Sequence, residues 1–366
     1  MTRRVLSCRH SKMKMSRGLT FEFEDAIADC DHHVRINTTS VPTEQPMRRR
    51  WRARKTAQMI LDPRTSPGGD ELVFAVAQVL PDLGDHLAFQ REVQSAHKKA
   101  AFVEEVWVKD IPLRLDVRRQ LAQFDHVFVS CAGTVEALAE HIDTPVTYLP
   151  PSIDHERFAA HPWPPLAIDV YAMGRRQPEL HEALLRWVAA DPSRFYMYDT
   201  VTGNRSLRDH RQHRGMLAQF VRRSRYFMVS GAKFNCPDET GNQAELGYRY
   251  FEGAAAGAVM LGTEVTAPTF PEQFTWEEPI LTVDPSGHDL ADRIDELDAD
   301  PDRRAAIRQR NAAGSLRAHD PAHRWRLVLA TLELEEPPGV EERIGRLAQR
   351  ANQIDFTDIE RRAKRA

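Results

Sequence analysis

Short apolar runs alternate with helical patterns along most of the chain. Such alternation predicts an α/β fold with parallel sheets. In the first half, the apolar runs predict six strands, at Arg4–Ser7, His33–Asn37, Leu72–Val76, Phe102–Val106, His126–Ser130 and Val146–Tyr148.

The clearest strand–helix–strand unit lies between Phe124 and Asp154. A buried strand is followed by a small-residue turn, and a helix is predicted over Thr134–His141 with Thr134 as its N-cap. A second strand then ends at the double proline that begins at Pro150. The pattern is that of one βαβ crossover.

A proline-rich stretch marks a domain boundary. Five prolines lie between Leu149 and Leu166, where they stiffen the chain and cannot donate to a sheet. The alternation then restarts. We therefore predict an N-terminal domain over residues 1–160, a second domain over 161–334 and a helical extension over 335–366. In the second domain, strands are predicted at Ile168–Ala172, Arg194–Met197, Tyr226–Val229, Val259–Leu261 and Ile280–Val283, and helices at Glu179–Ala190, Met216–Ser224, Ala244–Ala256, Asp289–Leu297 and Pro301–Gly314.

Composition narrows the class of protein. The chain has 366 residues, with Lys+Arg 50 against Asp+Glu 53 and a formal net charge of -3. This balance gives no reason to expect a nucleic-acid partner. The four cysteines form no CxxC pair, which favours a reducing compartment. The sequence shows no signal peptide and no apolar run long enough for a membrane span, so a cytoplasmic location is expected.

One local charge anomaly stands out. The run from Met47 to Lys55 holds six basic residues around Trp51. A solvated helix face accounts for it, and so does a surface that meets a phosphorylated or lipid-bound acceptor. The second interpretation predicts a peripheral membrane contact through Arg48–Lys55.

The motifs of several enzyme classes are missing. The chain has no GxGxxG after its first strand, no P-loop, no GxSxG elbow and no HExxH. His319, Asp320 and His323 lie close together, but an Asp followed by Pro is typical of a helix N-cap and first turn. No metal site is expected.

The first strand of the second domain ends in a glycine followed by two arginines, Gly174, Arg175 and Arg176. The carboxyl edge of a parallel sheet is where open α/β folds bind ligands. A glycine allows close backbone approach there, and an arginine can fork onto a phosphate.

A second candidate region extends from Gly231 to Glu264. Here a polar loop over Asn235–Gln243 leads into a predicted helix that carries Glu245, Arg249 and Glu252. The loop and the positive end of the helix could hold a diphosphate. Because Glu252 falls among small and apolar residues, its carboxylate needs a partner. Sugar hydroxyls would supply one, and so would a salt bridge to Arg249 on the same helix face.

The stretch Tyr248–Gly262 resembles the donor-site helix and strand of GT-B glycosyltransferases, and is most similar to the family-4-like group that includes the spore-maturation-protein type. Further similarity lies at Tyr148–Asp154 with Arg157 and Phe158, at Met173–Arg175, and at His319 and Asp320 with Arg324 and Trp325. The resemblance covers about Leu72 to Leu334. It implies two Rossmann-like domains facing an interdomain cleft, with the acceptor held by the first domain and the donor by the second.

Carried over residue by residue, the resemblance implies that Glu252 binds the ribose of a nucleotide-sugar and Arg175 a phosphate. The full donor-binding set is Gly18, Gly174, Arg175, Arg176, Lys233, Gln243, Arg249 and Glu252. The catalytic candidates are Glu245 and His86, the latter following the strand at Leu72. His86 has an alternative interpretation as a helix-start residue.

This sequence departs from the family pattern in two places. The acidic pair Glu245 and Glu252 is one residue closer together than usual, since Ala244 occupies the expected position. The lysine expected shortly after Arg175 is absent, and Arg176 or Lys233 would take its place.

The resulting expectation is a metal-independent, retaining glycosyltransferase that needs no cofactor. Its donor is a nucleotide-diphosphate sugar, and its acceptor is a small molecule, a glycan or a lipid-linked compound. A leaving diphosphate can be stabilised by arginine, lysine and a helix N-terminus. Two alternatives remain open: a nucleotide-sugar epimerase on the same fold, and a non-catalytic nucleotide-sugar binding module.

Overall fold

The computed structural model describes residues 2–9, 13–38, 45–61, 69–111, 113–159, 162–200 and 206–363. It divides into two compact units, each assembled from three chain segments. The first unit comprises Met1–Pro150, Asn204–His213 and Arg324–Glu342, and the second comprises Pro151–Gly203, Arg214–His323 and Arg343–Ala366. The domain limits predicted from sequence stay a prediction beside this division.

The first unit is built on a six-stranded parallel sheet of order β2-β1-β3-β4-β5-β6. Every strand predicted for this half of the chain is confirmed. The strands are β1 (Arg3–Ser7), β2 (Val34–Thr38), β3 (Leu72–Val79), β4 (Lys98–Glu105), β5 (His126–Val129) and β6 (Val146–Tyr148). The sheet centre is apolar on both faces, as a sheet covered by helices requires: residues Leu72 to Ala77 of β3 are fully buried.

Helices flank the strands of this sheet. They are α1 (Gly18–Cys30), α2 (Gln45–Leu61), α3 (Leu83–His86), α4 (Gln90–Ser95), α5 (Leu115–Leu121) and α6 (Val135–Ala139). Thr134 occupies the predicted N-cap position, immediately before α6, but its side chain makes no capping hydrogen bond. Its hydroxyl instead donates to the carbonyl of Val106 at 2.7 Å, because the side chain is buried beside the end of the neighbouring strand.

The second unit has a five-stranded parallel sheet of order β11-β10-β9-β7-β8. Its strands are β7 (Ile168–Ala172), β8 (Tyr196–Tyr198), β9 (Ser224–Met228), β10 (Val259–Gly262) and β11 (Ile280–Thr282), and all five predicted strands are confirmed. In both sheets the first strand lies between the second and the third. This is a doubly wound order, in which the connections leave in opposite directions from the first and third strands.

The remaining helices of the chain are α7 (His155–Phe158), α8 (Pro178–Ala189), α9 (His210–Arg222), α10 (Pro237–Thr240), α11 (Tyr248–Ala255), α12 (Phe270–Gln273), α13 (Leu290–Ala299), α14 (Pro301–Ala318), α15 (Pro321–Thr331) and α16 (Pro338–Ala363). Helices α9, α15 and α16 each begin in one unit and continue into the other. In the part of the chain that the structure describes, none of the helices is both long and apolar enough to cross a membrane.

Part of α15 completes the core of the first unit. The indole of Trp325 is fully buried and packs edge-on against Phe74 of β3, with ring centroids 5.4 Å apart. Its Nε1–H donates to the carboxylate of Asp31 at 2.9 Å. Arg3 donates to the same carboxylate at 2.7 Å. A late segment of the chain is therefore an integral part of the first core.

A buried ion cluster organises the end of the second unit. Asp320 caps α15 by accepting from the amide of Ala322 at 2.9 Å, which confirms its predicted capping role. Arg343 of α16 donates to Asp320 at 2.8 and 2.9 Å and to Asp154 at 2.7 Å. Although burial opposes ionisation of Asp320, Arg343 holds the pKa of this carboxyl below its usual value. The two aspartates thus share one buried cation, Arg343.

Candidate active site

The topology of the second sheet indicates where a ligand would bind. The chain leaves β7 and β9 in opposite directions, and ligands of open α/β sheets occupy the crevice outside the carboxyl ends of such strands. The loop after β7 contains Gly174, Arg175 and Arg176, and the loop after β9 contains Lys233. The structure therefore brings these predicted residues to one edge of one sheet.

Gly174 shapes the loop after β7. Its φ angle is +80°, a backbone conformation that residues other than glycine rarely adopt. Its amide donates to the carboxylate of Asp199, which follows β8, at 2.8 Å. The guanidinium of Arg176 lies 5.2 Å from the ring centroid of Tyr198. Arg175 is exposed and makes no hydrogen bond or ion pair with residues in the described ranges. Arg175 is thus open to an anion.

Glu252 of α11 is fully buried. Arg249, one helical turn earlier, donates to its Oε2, so the alternative of a salt bridge to Arg249 is confirmed. Arg214 of α9 donates to its Oε1. Burial alone would raise the pKa of Glu252, but the two arginines lower it. This buried carboxyl is therefore held as an anion.

Arg249 connects this carboxylate with the glycine loop. A Cβ placed on Gly174 would lie 3.7 Å from Nη2 of Arg249, which is van der Waals contact. Burial raises the pKa of the Tyr171 phenol, near the end of β7. The charges of Asp199, Arg249 and Glu252 also act on this phenol. The group is packed together around the start of the loop after β7.

Glu245 is not on the helix, and this part of the sequence prediction is wrong. Helix α11 begins at Tyr248, after an extended Gly247. A Cβ on Gly247 would lie 2.2 Å from the carbonyl oxygen of Ser230, so the loop crosses too close to the β9 loop for a helix to start earlier. The backbone carbonyl of Glu245 accepts from the amide of Ala232 at 2.9 Å.

The side chains of this loop are mutually bonded. Gln243 donates to the nearly buried carboxylate of Glu245 at 2.6 Å. Lys233, whose φ is +47°, forms an ion pair with Glu239 at 2.8 Å. The predicted donor residues Lys233 and Gln243 thus lie in the two loops that cross before α11. Within the described residues, His, Cys, Asp and Glu side chains form no group of three or more that could hold a metal ion.

In the first unit, Gly18 is buried and begins α1. His86 is the last residue of α3 rather than a helix-start residue. Its Nε2–H donates to the carbonyl of Val76 at 3.0 Å, and the cavity beside it measures about 10 Å³, room for one water molecule rather than a sugar. The structure gives this imidazole a structural contact, and its catalytic role stays a prediction.

The basic run lies on α2, where it divides into two sets. Arg48 and Arg52, one turn apart, both donate to the buried carboxylate of Asp85 on α3, Arg52 at 2.5 Å. The exposed arginines of the run are Arg49, Arg50 and Arg54. Part of the charge anomaly is therefore internal ion pairing.

Comparison with known proteins gives a family match for part of the chain and a set of similar folds. Residues 174–330 match the family model described as "Glycosyl transferase-like". This region contains the loop after β7, the loop after β9 and the whole of α11.

The chain has the GT-B fold, and its residues 174–330 are similar to glycosyltransferases. Similar folds include HepE of Anabaena, solved in complex with UDP and glucose, at 11% identity and a TM-score of 0.55 over 91% of this chain and 99% of that one. Trehalose-6-phosphate synthase OtsA gives 11% identity and a TM-score of 0.58 over 91% and 99%. A structure described as trehalose-6-phosphate from E. coli bound with UDP-2-fluoro glucose gives 11% and 0.50 over 87% and 85%. A search of curated proteins finds no match. Membership of the spore-maturation-protein type stays a prediction.

Sequence reasoning missed one residue of this buried cluster, Arg214, which pairs with Glu252. A signal for it exists. Arg214 is followed by Leu217, Ala218 and Val221, and all four side chains are buried on one face of α9. An arginine that begins the apolar stripe of a helix must have a buried anionic or hydrogen-bonding partner.

Proposed function

We propose that this protein is a glycosyltransferase that transfers a sugar from a UDP-sugar to the hydroxyl of an acceptor, which is a small molecule, a glycan or a lipid-linked compound. The observation that carries the proposal is the anionic, fully buried Glu252 held by two arginines beside the left-handed Gly174. The presence of UDP in the HepE complex and of UDP-2-fluoro glucose in the E. coli complex favours UDP as the nucleotide.

Each donor-site residue has a distinct task in this proposal. Glu252 accepts hydrogen bonds from the ribose hydroxyls, which are stronger for a charged acceptor. Arg175 forks onto the diphosphate, supported by Arg176 and Lys233. Glu245 contacts the transferred sugar. The leaving diphosphate is stabilised by these cations and by the N-terminal amides of α11.

We extend the proposal to metal-independent transfer with retention of the anomeric configuration. Arginine and lysine side chains supply the positive charge that the leaving diphosphate needs. Retention follows from the family resemblance. The two statements are checked by activity in the presence of EDTA and by NMR assignment of the anomeric configuration of the product.

A ligand screen followed by a turnover assay tests the proposed function. Glucose conjugates of UDP, GDP, ADP and dTDP are compared by thermal shift, since a ligand at a hundred times its Kd stabilises by roughly 2.7 kcal/mol. We expect the UDP conjugate to stabilise most. We also expect UDP to be released only when an acceptor from a glycan and lipid-linked panel is present.

Other outcomes of this screen separate the alternatives. Stabilisation by none of the conjugates would show that the donor-site assignment is wrong. A changed sugar still attached to UDP would identify an epimerase. UDP-sugar binding without turnover across the acceptor panel would favour a non-catalytic binding module.

We further propose that the exposed arginines of α2 contact anionic lipid. Each basic residue near such a surface contributes about 1 kcal/mol, so replacing Arg49, Arg50 and Arg54 together by alanine is expected to abolish co-sedimentation with vesicles containing phosphatidylglycerol. Arg114→Ala removes one exposed arginine outside α2 and serves as the control. Equal sedimentation of the triple variant and the wild type would refute the lipid contact.

A further inference from the structure

The two arginines that hold Glu252 differ in accessibility. Arg249 keeps 24% of its side chain exposed, whereas Arg214 keeps 3%. The guanidinium of Arg214 also lies 4.8 Å from the ring centroid of the fully buried Phe158. Arg249 can therefore move towards a ligand, and Arg214 is fixed in place by its surroundings.

The position of Arg249 gives it a second possible partner. Its guanidinium lies near Gly174, the residue that allows close backbone approach in the loop after β7, since a Cβ added there would lie 3.7 Å from Nη2 of Arg249. An incoming diphosphate at this loop would compete with Glu252 for Arg249. If Arg249 moved to the diphosphate, Glu252 would still be fully buried and would need another cation.

We propose that Arg214 is the positioning residue of the donor site: it remains the counter-ion of Glu252 while Arg249 exchanges that carboxylate for the donor diphosphate. This inference rests on the proposed use of a UDP-sugar. Charge is balanced on both sides of the exchange. Before binding, the cluster has two cations and one anion. Afterwards Arg214 and Glu252 form a neutral pair, and Arg249 neutralises part of the diphosphate.

The exchange also prepares Glu252 for the ribose. Departure of Arg249 opens acceptor positions on Oε2, which the ribose hydroxyls then fill. Arg214 stays on Oε1 and holds the carboxylate anionic and in one orientation. The two arginines thus have separable tasks, because Arg249 acts on the phosphates and Arg214 acts on the sugar-binding carboxylate.

The test is calorimetric titration of the full chain with UDP and with 2′-deoxy-UDP. The variants are Arg214→Met and Arg249→Met. Each removes one of the two positive charges that pair with the carboxylate of Glu252. The matched control is Arg223→Met, just after the end of α9, whose side chain bonds to Gln219 alone among the described residues. Should Arg214→Met not fold, Arg214→Gln removes the charge but keeps a hydrogen-bond donor and carries the same expectations.

We expect Arg249→Met to lower the affinity for UDP and for 2′-deoxy-UDP by the same factor, so that the preference for UDP is kept. Arg214→Met should weaken UDP about 10- to 100-fold, since binding would leave a buried carboxylate without a cation. The ratio of the Kd for 2′-deoxy-UDP to the Kd for UDP should also fall close to one. The reason is that a protonated or reoriented Glu252 no longer accepts a hydrogen bond from the 2′-hydroxyl.

The pH profile provides a second readout. In Arg214→Met, the pKa of Glu252 rises when Arg249 leaves, so nucleotide binding takes up a proton. Affinity for UDP relative to wild type should then increase as pH falls from 8 to 6, and comparison at each pH removes the titration of UDP itself. Arg249→Met should show no such trend, since Glu252 keeps Arg214.

The possible outcomes separate the role of Arg214 from the proposed use of a UDP-sugar, on which that role rests. If wild type binds UDP and Arg214→Met behaves as Arg223→Met does, or shows the same preference and pH profile as Arg249→Met, the inference alone is overturned. If wild type does not bind UDP, the proposed donor is wrong and the inference falls with it.

Discussion

The Glu252→Gln variant is expected to fold and to lose about 100- to 1,000-fold in kcat/KM for transfer from a UDP-sugar. The amide has the same shape as the carboxylate but carries no charge. It cannot balance Arg214 and Arg249, and its hydrogen bonds to ribose hydroxyls lose their charge assistance. Two hydrogen bonds to a charged group contribute on the order of 3–6 kcal/mol, which overlaps the roughly 2.7–4.1 kcal/mol that a 100- to 1,000-fold loss represents. The measurement is initial-rate kinetics of UDP release with a competent acceptor.

Two controls separate chemistry from folding in this experiment. Glu272→Gln removes an exposed carboxylate on α12 of the same unit and should keep wild-type kinetics. Circular dichroism and thermal melting should show Glu252→Gln folded at the assay temperature. A folded Glu252→Gln enzyme with wild-type kcat/KM would remove Glu252 from the donor site.

Arg343→Met should give the largest loss of stability, about 3–5 kcal/mol in the free energy of unfolding. Arg343 is 2% exposed and is bonded to both Asp154 and Asp320. Methionine preserves most of the volume but removes the cation, so that two inward-facing carboxylates lose their common partner. Denaturation in guanidinium chloride at pH 7 measures the loss.

Arg346→Met is the matched control for this prediction. Arg346 lies one turn later on α16, is 56% exposed and pairs with the partly exposed Glu156. Exposed pairs of this kind contribute 0.2–1 kcal/mol, so its loss should be several-fold smaller. Equal effects of the two substitutions would show that the buried cluster does not stabilise the second unit.

The strands were predictable because the physics that forms them is local. A strand covered on both faces needs a continuous apolar run, and β3 and β10 are such runs in the sequence itself. The glycine–arginine turn after β7 was predictable for a related reason. In a parallel α/β fold every strand end of this kind faces the same edge, so Gly174 and Arg175 could be assigned to it without coordinates.

Tertiary contacts account for what could not be predicted. Helix α11 starts later than the helical pattern indicates, because the chain before it crosses the β9 loop at Gly247. The hydroxyl of Thr134 donates to the carbonyl of Val106, just after β4, instead of capping its own helix. Arg214 and Glu252 lie 38 residues apart, and nothing in the local sequence of either residue specifies the other.

The placement of Trp325 has a consequence for protein engineering. The simplest chimaera of this fold would join the first half of this chain to the second half of another protein. In this protein a junction at Pro150 would separate Phe74 and Asp31 from the indole that packs on them, since Trp325 belongs to the first unit. The position of Trp325 would then be occupied by the corresponding residue of the other protein. A chimaera that exchanges the second unit must therefore keep residues 324–342 from the same parent as the N-terminal half.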